Sequence, residues 1–289
     1  MNETIHYGDH MYKIVKNEQL SKNEYDFWIE APRIATKAQP GQFVILRINE
    51  IGERIPLTIA DADPSSGLIR LIFQVIGKTT AELSSLCAND SILDLTGPLG
   101  TPTEIKNYGT VMIVGGGVGI AAIFPIIKGL KQAGNRVITI LGAKTSELVI
   151  LQKECQQYSD ELIITTDDGS LGMKGLVTEA MEQVIAKESI DCSWAIGPSM
   201  MMKFCTMTAE NHKLPIYVSL NPIMIDGTGM CGGCRVTIDG SIKFACVDGP
   251  EFKGTQVNWD EFISRMKQYT DEEEASLTDY QKAQVIHHG

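Results

Sequence analysis

The apolar pattern of the chain changes character once, near residue 102, and that change limits the fold more than any other feature. Before it stand short β-rich runs, MYKIV, EYDFWIEA, QFVILRI, LIRLIFQV and SILDLT, parted by turn formers such as PGQ and DPSSG. Such spacing predicts an antiparallel β-barrel, with TTAELSSL as its one helical insert. After it, VMIV, RVITIL, ELIITT, SWAIG and PIYVSL are apolar runs of the kind buried in a parallel sheet. Helical segments lie between them. In KGLVTEAMEQVIAKE, Leu176, Val177, Ala180, Met181, Val184 and Ile185 form the stripe of an amphipathic helix. Strand and helix in alternation predict a doubly wound parallel sheet, so the expected class is β followed by α/β.

A third stretch, 221–258, is short and loop-rich and has little apolar material for a core of its own. A metal centre would hold it. WDEFISRMKQY then reads as a closing helix, and the acidic tail DEEEASLTDY as a solvated helix face or frayed end. The expected divisions are 1–102, 103–220, 221–258 and 259–289, which suits a length of 289 residues: two domains and an appendage.

A formal net charge of −11 argues against nucleic acid as a partner, because phosphates must be met by Lys and Arg. No apolar run approaches the roughly 20 residues of a membrane span. The start, MNETIHYGDHMYKIV, lacks a basic region followed by an apolar one, so no secretory signal is expected and the default compartment is cytoplasmic. Cys87, Cys155, Cys192 and Cys205 stand singly and read as small buried hydrophobes. Cys231, Cys234 and Cys246 crowd into one glycine-rich stretch, which in a cytoplasmic chain favours a metal over disulfides.

Three segments carry chemistry. In VMIVGGGVGIAAIF a strand runs through Gly115, Gly116, Gly117 and Gly119 into a helix, a form that lets backbone N–H groups approach a pyrophosphate. A glycine turn that merely packs helix on sheet is the competing account. The second apolar run of this region ends in LGAKTSE, without the acid that ordinarily holds a ribose 2′-hydroxyl; Lys144 stands there, so NAD(H) and NADP(H) both stay open. Pro125 falls inside the predicted helix and should kink it.

The second segment has the spacing Asp226-x4-Cys231-x2-Cys234-x11-Cys246, which follows the plant-type [2Fe–2S] arrangement with a carboxylate in the first place. Gly227, Gly229, Gly232 and Gly233 let the backbone wrap a cluster. Tetrahedral zinc and three metal-free thiols are the alternatives. The third segment comprises Arg54-Ile55-Pro56-Leu57-Thr58 on a barrel strand and Gly77-Lys78-Thr79-Thr80 before a helix. Together they suit a flavin's diphosphate and ring, and a surface Arg with a helix cap explains them equally well.

Over nearly its whole length the chain resembles the ferredoxin–NADP reductase superfamily. RIPLTIAD, GGGVGIAAIFPI, TTDDGSLGMKG, GPSMMM and MIDGTGMCGGC carry the likeness. Leu57 replaces the usual ring-stacking aromatic, which points to the branch of electron-transfer subunits with a C-terminal [2Fe–2S] loop. That branch serves dihydroorotate dehydrogenases and NADH-dependent reduced ferredoxin:NADP oxidoreductases. The motifs look like the latter, and Asp226 departs from the four-cysteine loop of the former.

The resemblance implies that Arg54, Pro56, Leu57 and Thr58 line FAD, with Gly77, Lys78, Thr79 and Thr80 around its phosphates. It implies that Gly115, Gly116, Gly117 and Gly119 hold a nicotinamide nucleotide, NAD(H) by preference. Asp167, Asp168, Gly169, Gly197, Pro198 and Met200 would border the same cleft. For Asp167 and Asp168 a turn with a helix-start cap competes. Asp226, Cys231, Cys234 and Cys246 would ligate the cluster. No acid–base residue is required for hydride transfer. The implied partner is a larger FAD and [4Fe–4S] subunit in an electron-bifurcating heterodimer that reaches ferredoxin indirectly. A dihydroorotate-oxidising partner is the second possibility, and a non-catalytic redox-sensing or assembly module is a third of another class.

Overall fold

The computed structural model of the chain describes residues 11–288, with side chains to residue 283. Most of the amino-terminal stretch on which the reading of no secretory signal rests lies outside the described residues.

The first half contains β1 (Tyr12–Ser21), β2 (Glu24–Glu30), α1 (Pro32–Ala35), β3 (Phe43–Arg47), β4 (Ile55–Asp63), β5 (Leu68–Gln74), α2 (Lys78–Ser84), β6 (Ser91–Ile92) and β7 (Asp94–Leu99). The strands form one antiparallel sheet in the order β6-β1-β2-β5-β4-β3-β7. Its two end strands are consecutive in the chain, so the sheet curls almost closed, as the barrel expected from the turn spacing does. Side chains alternate across it. Val44 and Leu46 enter the barrel core with Phe27, Ile59 and Leu71, while Phe43 and Ile45 point outward into a second core.

The second half contains β8 (Thr110–Gly116), α3 (Gly119–Gln132), β9 (Arg136–Ala143), α4 (Gln152–Tyr158), β10 (Glu161–Thr166), β11 (Met173–Lys174), α5 (Val177–Lys187), β12 (Cys192–Ile196), α6 (Ser199–Asn211) and β13 (Ile216–Ser219). After these come β14 (Arg235–Ile238), β15 (Ser241–Phe244), β16 (Glu251–Lys253), α7 (Trp259–Met266) and α8 (Thr270–His288). A second sheet runs β11-β10-β9-β8-β12-β13-β16, parallel except for β16 at its edge. The chain winds one way from β8 and then returns to β12 on its other side. The crevice between those two strands is where a doubly wound sheet binds ligands.

Three expectations are corrected. Leu176 is not on the inward stripe of α5: it precedes the helix in extended conformation and is 56% exposed. Pairing of Met173 and Lys174 with β10 holds the chain extended up to it, so helical rotation starts only at Val177. Cys87 is exposed, because it lies in a turn whose N–H it donates to Asp90 Oδ2 (2.7 Å). Cys155, Cys192 and Cys205 are buried, and burial pushes each thiol up to about 12, which leaves them protonated and inert.

The segment 221–258 is also less dependent on a staple than its loops suggest. It adds β16 to the second sheet, and Met224, Val236, Ile238 and Phe252 share the core of β12 and β13. Within it the run from Asn221 to Ile225 is divided. Pro222 and Met224 turn inward, and Ile225 is half exposed.

The barrel and the sheet meet along α3 and β4, where Ala60 and Ile72 join the core of Ile123 and Ile126. Pro125 is buried within α3 at this contact. Its missing N–H leaves the Ala121 carbonyl without its helical donor. Beside it Lys128 reaches Asp61 (3.1 Å). Further along, Arg70 on β5 donates to Asp26 on β2 (2.7 Å) and lies 3.3 Å from Glu154 on α4. No helix among the described residues is long and apolar enough to cross a membrane.

Candidate functional site: a nucleotide crevice, a flavin strand and a cysteine loop

The crevice is built by backbone. β8 ends in Gly115 and Gly116, and α3 begins at Gly119. A Cβ on Gly119 would strike Ile196 O and stand 2.8 Å from the Cα of Gly197. Only glycine lets the β8 loop lie this close to the loop after β12. Gly197, Pro198 and Met200 form that second loop, with Met200 half exposed at its mouth. Gly117, at φ +54, turns the chain between them.

Alanine at Gly119 cannot be accommodated by a rotamer change, because its neighbours are backbone. The cost of overpacking is about 1–3 kcal/mol of stability, and a loop displaced from this close approach should bind a nucleotide more weakly. Calorimetric titration of Gly119→Ala with NADH checks this, and an affinity equal to wild type would refute the close-approach argument.

The loops after β9 and β10 stand at the same carboxyl edge of the parallel sheet as the crevice. Asp167 N–H donates to Ala143 O (3.1 Å) and Asp168 N–H to Lys144 O (3.3 Å), so Lys144 and the Asp167–Gly169 turn are adjacent. Asp168 Oδ1 accepts from both the N–H (2.9 Å) and the hydroxyl (2.6 Å) of Ser170. The hydroxyl is the main reason its carboxyl sits below the usual range. Its side chain therefore serves its own turn, whereas Lys144 is exposed toward solvent.

The flavin candidates divide by face. Pro56 is paired with Ile45 and Thr58 with Phe43, so both stand on the outward face of the barrel. Leu57, one residue off that period, packs against the barrel core. Arg54 precedes β4 and lies 3.5 Å from Asp94. Gly77 to Thr80 open α2, a helix of 7 residues, where Thr80 Oγ1 accepts from Gly77 N (3.1 Å) and Thr79 donates to Glu53.

The cysteine loop closes onto this outward face. A Cβ on Gly227, at φ +74, would lie 2.6 Å from Leu99 and 2.9 Å from Ile45. Thr101 N–H donates to Gly249 O (2.6 Å), a second tie between barrel and loop. Cys234 and Cys246 are buried with their sulfurs 3.2 Å apart, far outside disulfide length. Asp226 and Cys231 are joined instead through backbone. Asp226 Oδ2 accepts from Cys231 N (2.7 Å) and Oδ1 from Thr228 N (2.9 Å). Among the described residues no three metal-capable side chains converge on one point. Three thiols and a carboxylate on one wrap, with two sulfurs already in contact, are nevertheless a donor set suited to an iron–sulfur centre.

Several residues in these sites escape sequence reasoning. Arg47 and Asp94 flank Arg54, and Arg265 of α7 donates to Gly233 O (3.2 Å), bracing the cysteine loop from behind. α8 packs on α2. No local signal marks any of them, because each acts across a large sequence separation.

Comparison with known proteins bears on these sites. Residues 221–258 match the model described as the iron–sulfur cluster binding domain of dihydroorotate dehydrogenase B. The chain is 54% identical over 275 residues to a Thermotoga maritima protein named dihydroorotate dehydrogenase B (NAD(+)), electron transfer subunit homolog, covering 95% of this chain and 97% of that one. It is 35% identical over 257 residues to the dihydroorotate dehydrogenase B (NAD(+)) electron transfer subunit of Desulforamulus reducens, covering 86% and 97%. A solved structure of an NADH-dependent reduced ferredoxin-NADP oxidoreductase, described in terms of flavin-based electron bifurcation, superposes with TM-score 0.90 at 53% identity, covering 95% and 99%. A ferredoxin NADP+ reductase from Neisseria gonorrhoeae with bound FAD and NADP shares the fold at TM-score 0.58 and 18% identity, covering 70% and 90%.

Proposed function

The chain belongs to the family of dihydroorotate dehydrogenase B electron-transfer subunits and their homologues, and on that premise we propose that it is the NADH-linked subunit of an electron-bifurcating ferredoxin:NADP oxidoreductase. It is an oxidoreductase subunit of a larger complex and works with FAD, a nicotinamide nucleotide and an iron–sulfur cluster. The observation that carries the reading is the seat of the cysteine loop. Gly227 lies against Ile45 and Leu99, and Ile45 is the cross-strand neighbour of Pro56. Flavin strand and cluster loop thus share one face of the barrel, as consecutive electron carriers require.

In this reading residues 1–102 bind FAD, 103–220 the nucleotide, 221–258 the cluster, and 259–289 close the chain. Bound there, FAD supplies two-electron hydride chemistry on the nicotinamide side and the cluster one-electron transfer toward the partner. The protein's own work is positional. Arg54 meets the flavin diphosphate, while Pro56 and Thr58 present the strand to the ring. Gly115 to Gly119 bring helix-start N–H groups to the nucleotide's pyrophosphate. Asp226, Cys231, Cys234 and Cys246 ligate a [2Fe–2S] centre. Ile225, Met230 and Val247 are large apolar side chains left exposed on the cluster loop. They suit a stable contact with a larger FAD and [4Fe–4S] subunit, since such interfaces are depleted of charge at their centre.

The second reading is a dihydroorotate dehydrogenase subunit, the name borne by the 35% relative. The 54% relative is named a homolog of that subunit, and Asp226 in place of a fourth cysteine weighs against this reading.

Purification of the native complex tests the choice. Flavin and iron–sulfur absorption should bleach with NADH in preference to NADPH, and a larger flavin and [4Fe–4S] subunit should co-purify. A strong NADPH preference that disappears in Lys144→Ala would reverse the nucleotide assignment. A monomer that reduces ferredoxin rapidly by itself sinks the proposal, and a partner that oxidises dihydroorotate establishes the second reading. A chain showing neither absorption band would be a non-catalytic module.

A further inference from the structure

We propose that Arg47 is a second arginine for the flavin diphosphate, held together with Arg54 by the shared carboxylate of Asp94; this rests on the flavin reading above. Strands β4, β3 and β7 lie side by side, with Leu46 paired to Ile55 and Arg47 to Asp94. Arg54, Arg47 and Asp94 therefore form a row across one end of the barrel. Arg47 follows Phe43 and Ile45 at alternate positions, so it leaves β3 on the outward face that also carries Pro56 and Thr58. Its Nε donates to Asp94 Oδ2 at 2.7 Å, and Arg54 Nη2 stands 3.5 Å from the same oxygen.

One carboxylate thus serves two guanidiniums, and the row keeps a net positive charge in a chain whose net charge is −11. Glu50 is the other acid near Arg47, at 3.9 Å, but its side chain is 83% exposed and its charge is screened by water. The Arg47 and Arg54 side chains are 23% and 36% exposed, open enough to receive a ligand.

The neighbouring loop offers little else. The Thr79 hydroxyl is engaged by Glu53, and Thr80 Oγ1 accepts from Ile76 N (3.0 Å) and Gly77 N (3.1 Å). Asn49 Nδ2 donates to Glu82 Oε1 (2.5 Å), which fixes the β3–β4 loop and its acid Glu53 against α2. Glu53 brings a second negative charge toward the same end of the barrel, so with Asp94 a single arginine would leave that end acidic. Lys78 offers only a point charge, whereas a guanidinium presents a planar fork to phosphate oxygens.

Full-length chain freed of flavin provides the test, with FAD and phosphate-free riboflavin as the two probes. Arg47→Gln should raise the FAD dissociation constant roughly tenfold, the loss of one charge-assisted contact. It should leave riboflavin affinity unchanged and reduce the salt dependence of FAD binding. Arg47→Lys should recover part of the loss. Equal weakening of FAD and riboflavin would mean that Arg47 only braces β3 against β7, and would overturn the proposal. Wild-type FAD binding together with an unaffected Arg47→Gln overturns this proposal alone. A wild-type chain that binds neither flavin overturns it together with the flavin reading.

Discussion

Serine in place of Cys234 is expected to remove the iron–sulfur centre. Cys234 is 1% exposed, and its sulfur lies 3.2 Å from that of Cys246 at the bottom of the loop. A serine hydroxyl fits the space but is a poor thiolate substitute, being harder and far less acidic. Iron and acid-labile sulfide should fall from about two each per chain to near zero. Reduction of bound flavin by NADH should persist, because β3 and β4 are anchored through Val44, Leu46 and Ile59 in the barrel core, which does not contain the cysteine pair. Delivery of single electrons to the partner should be lost. Metal analysis with stopped-flow flavin reduction on one preparation checks both halves. Full iron and sulfide in Cys234→Ser would exclude the cysteine as a ligand. Asp226→Cys is the informative contrast: it should keep a cluster and change its potential, since a thiolate is softer than a carboxylate.

Asp26→Ala should produce the largest loss of stability. Asp26 and Arg70 are both buried, and the carboxylate takes three N–H···O contacts from the guanidinium at 2.7–3.0 Å. Removing the acid leaves a buried cation with only the partly exposed Glu154, at 3.3 Å, and the face of Trp28, 5.7 Å away. The expected cost is about 3–5 kcal/mol, a drop in melting temperature on the order of 10 °C. Replacing both partners, Asp26→Ala with Arg70→Met, should recover most of it, because no charge is then stranded. Thermal unfolding of the single and double variants gives the comparison. A double variant as unstable as Asp26→Ala would show that shape and not charge is at issue.

Residues of one motif could be read from the chain because the chemistry they need is local. The run of glycines after a strand, the x4-x2-x11 ligand spacing and the alternation of Arg54, Pro56 and Thr58 all lie within short windows. Leu176 failed for the same reason in reverse: its helical period is genuine, but pairing of Met173 and Lys174 with a distant strand keeps it extended. Cys87 has an apolar neighbourhood in sequence and a turn in space.

Element types, the order of barrel and wound sheet, the crevice glycines and the metal-capable donor set follow from the sequence by itself, because periodicity and short spacing act along the chain. Only the tertiary structure decided that the cysteine loop rests on Ile45 and Leu99, that Arg47 and Arg54 share Asp94, and that Arg70 links Asp26 to Glu154. Those relations join residues far apart in sequence. They depend on which faces of the strands meet once the barrel has closed, and no local pattern of side chains encodes that meeting.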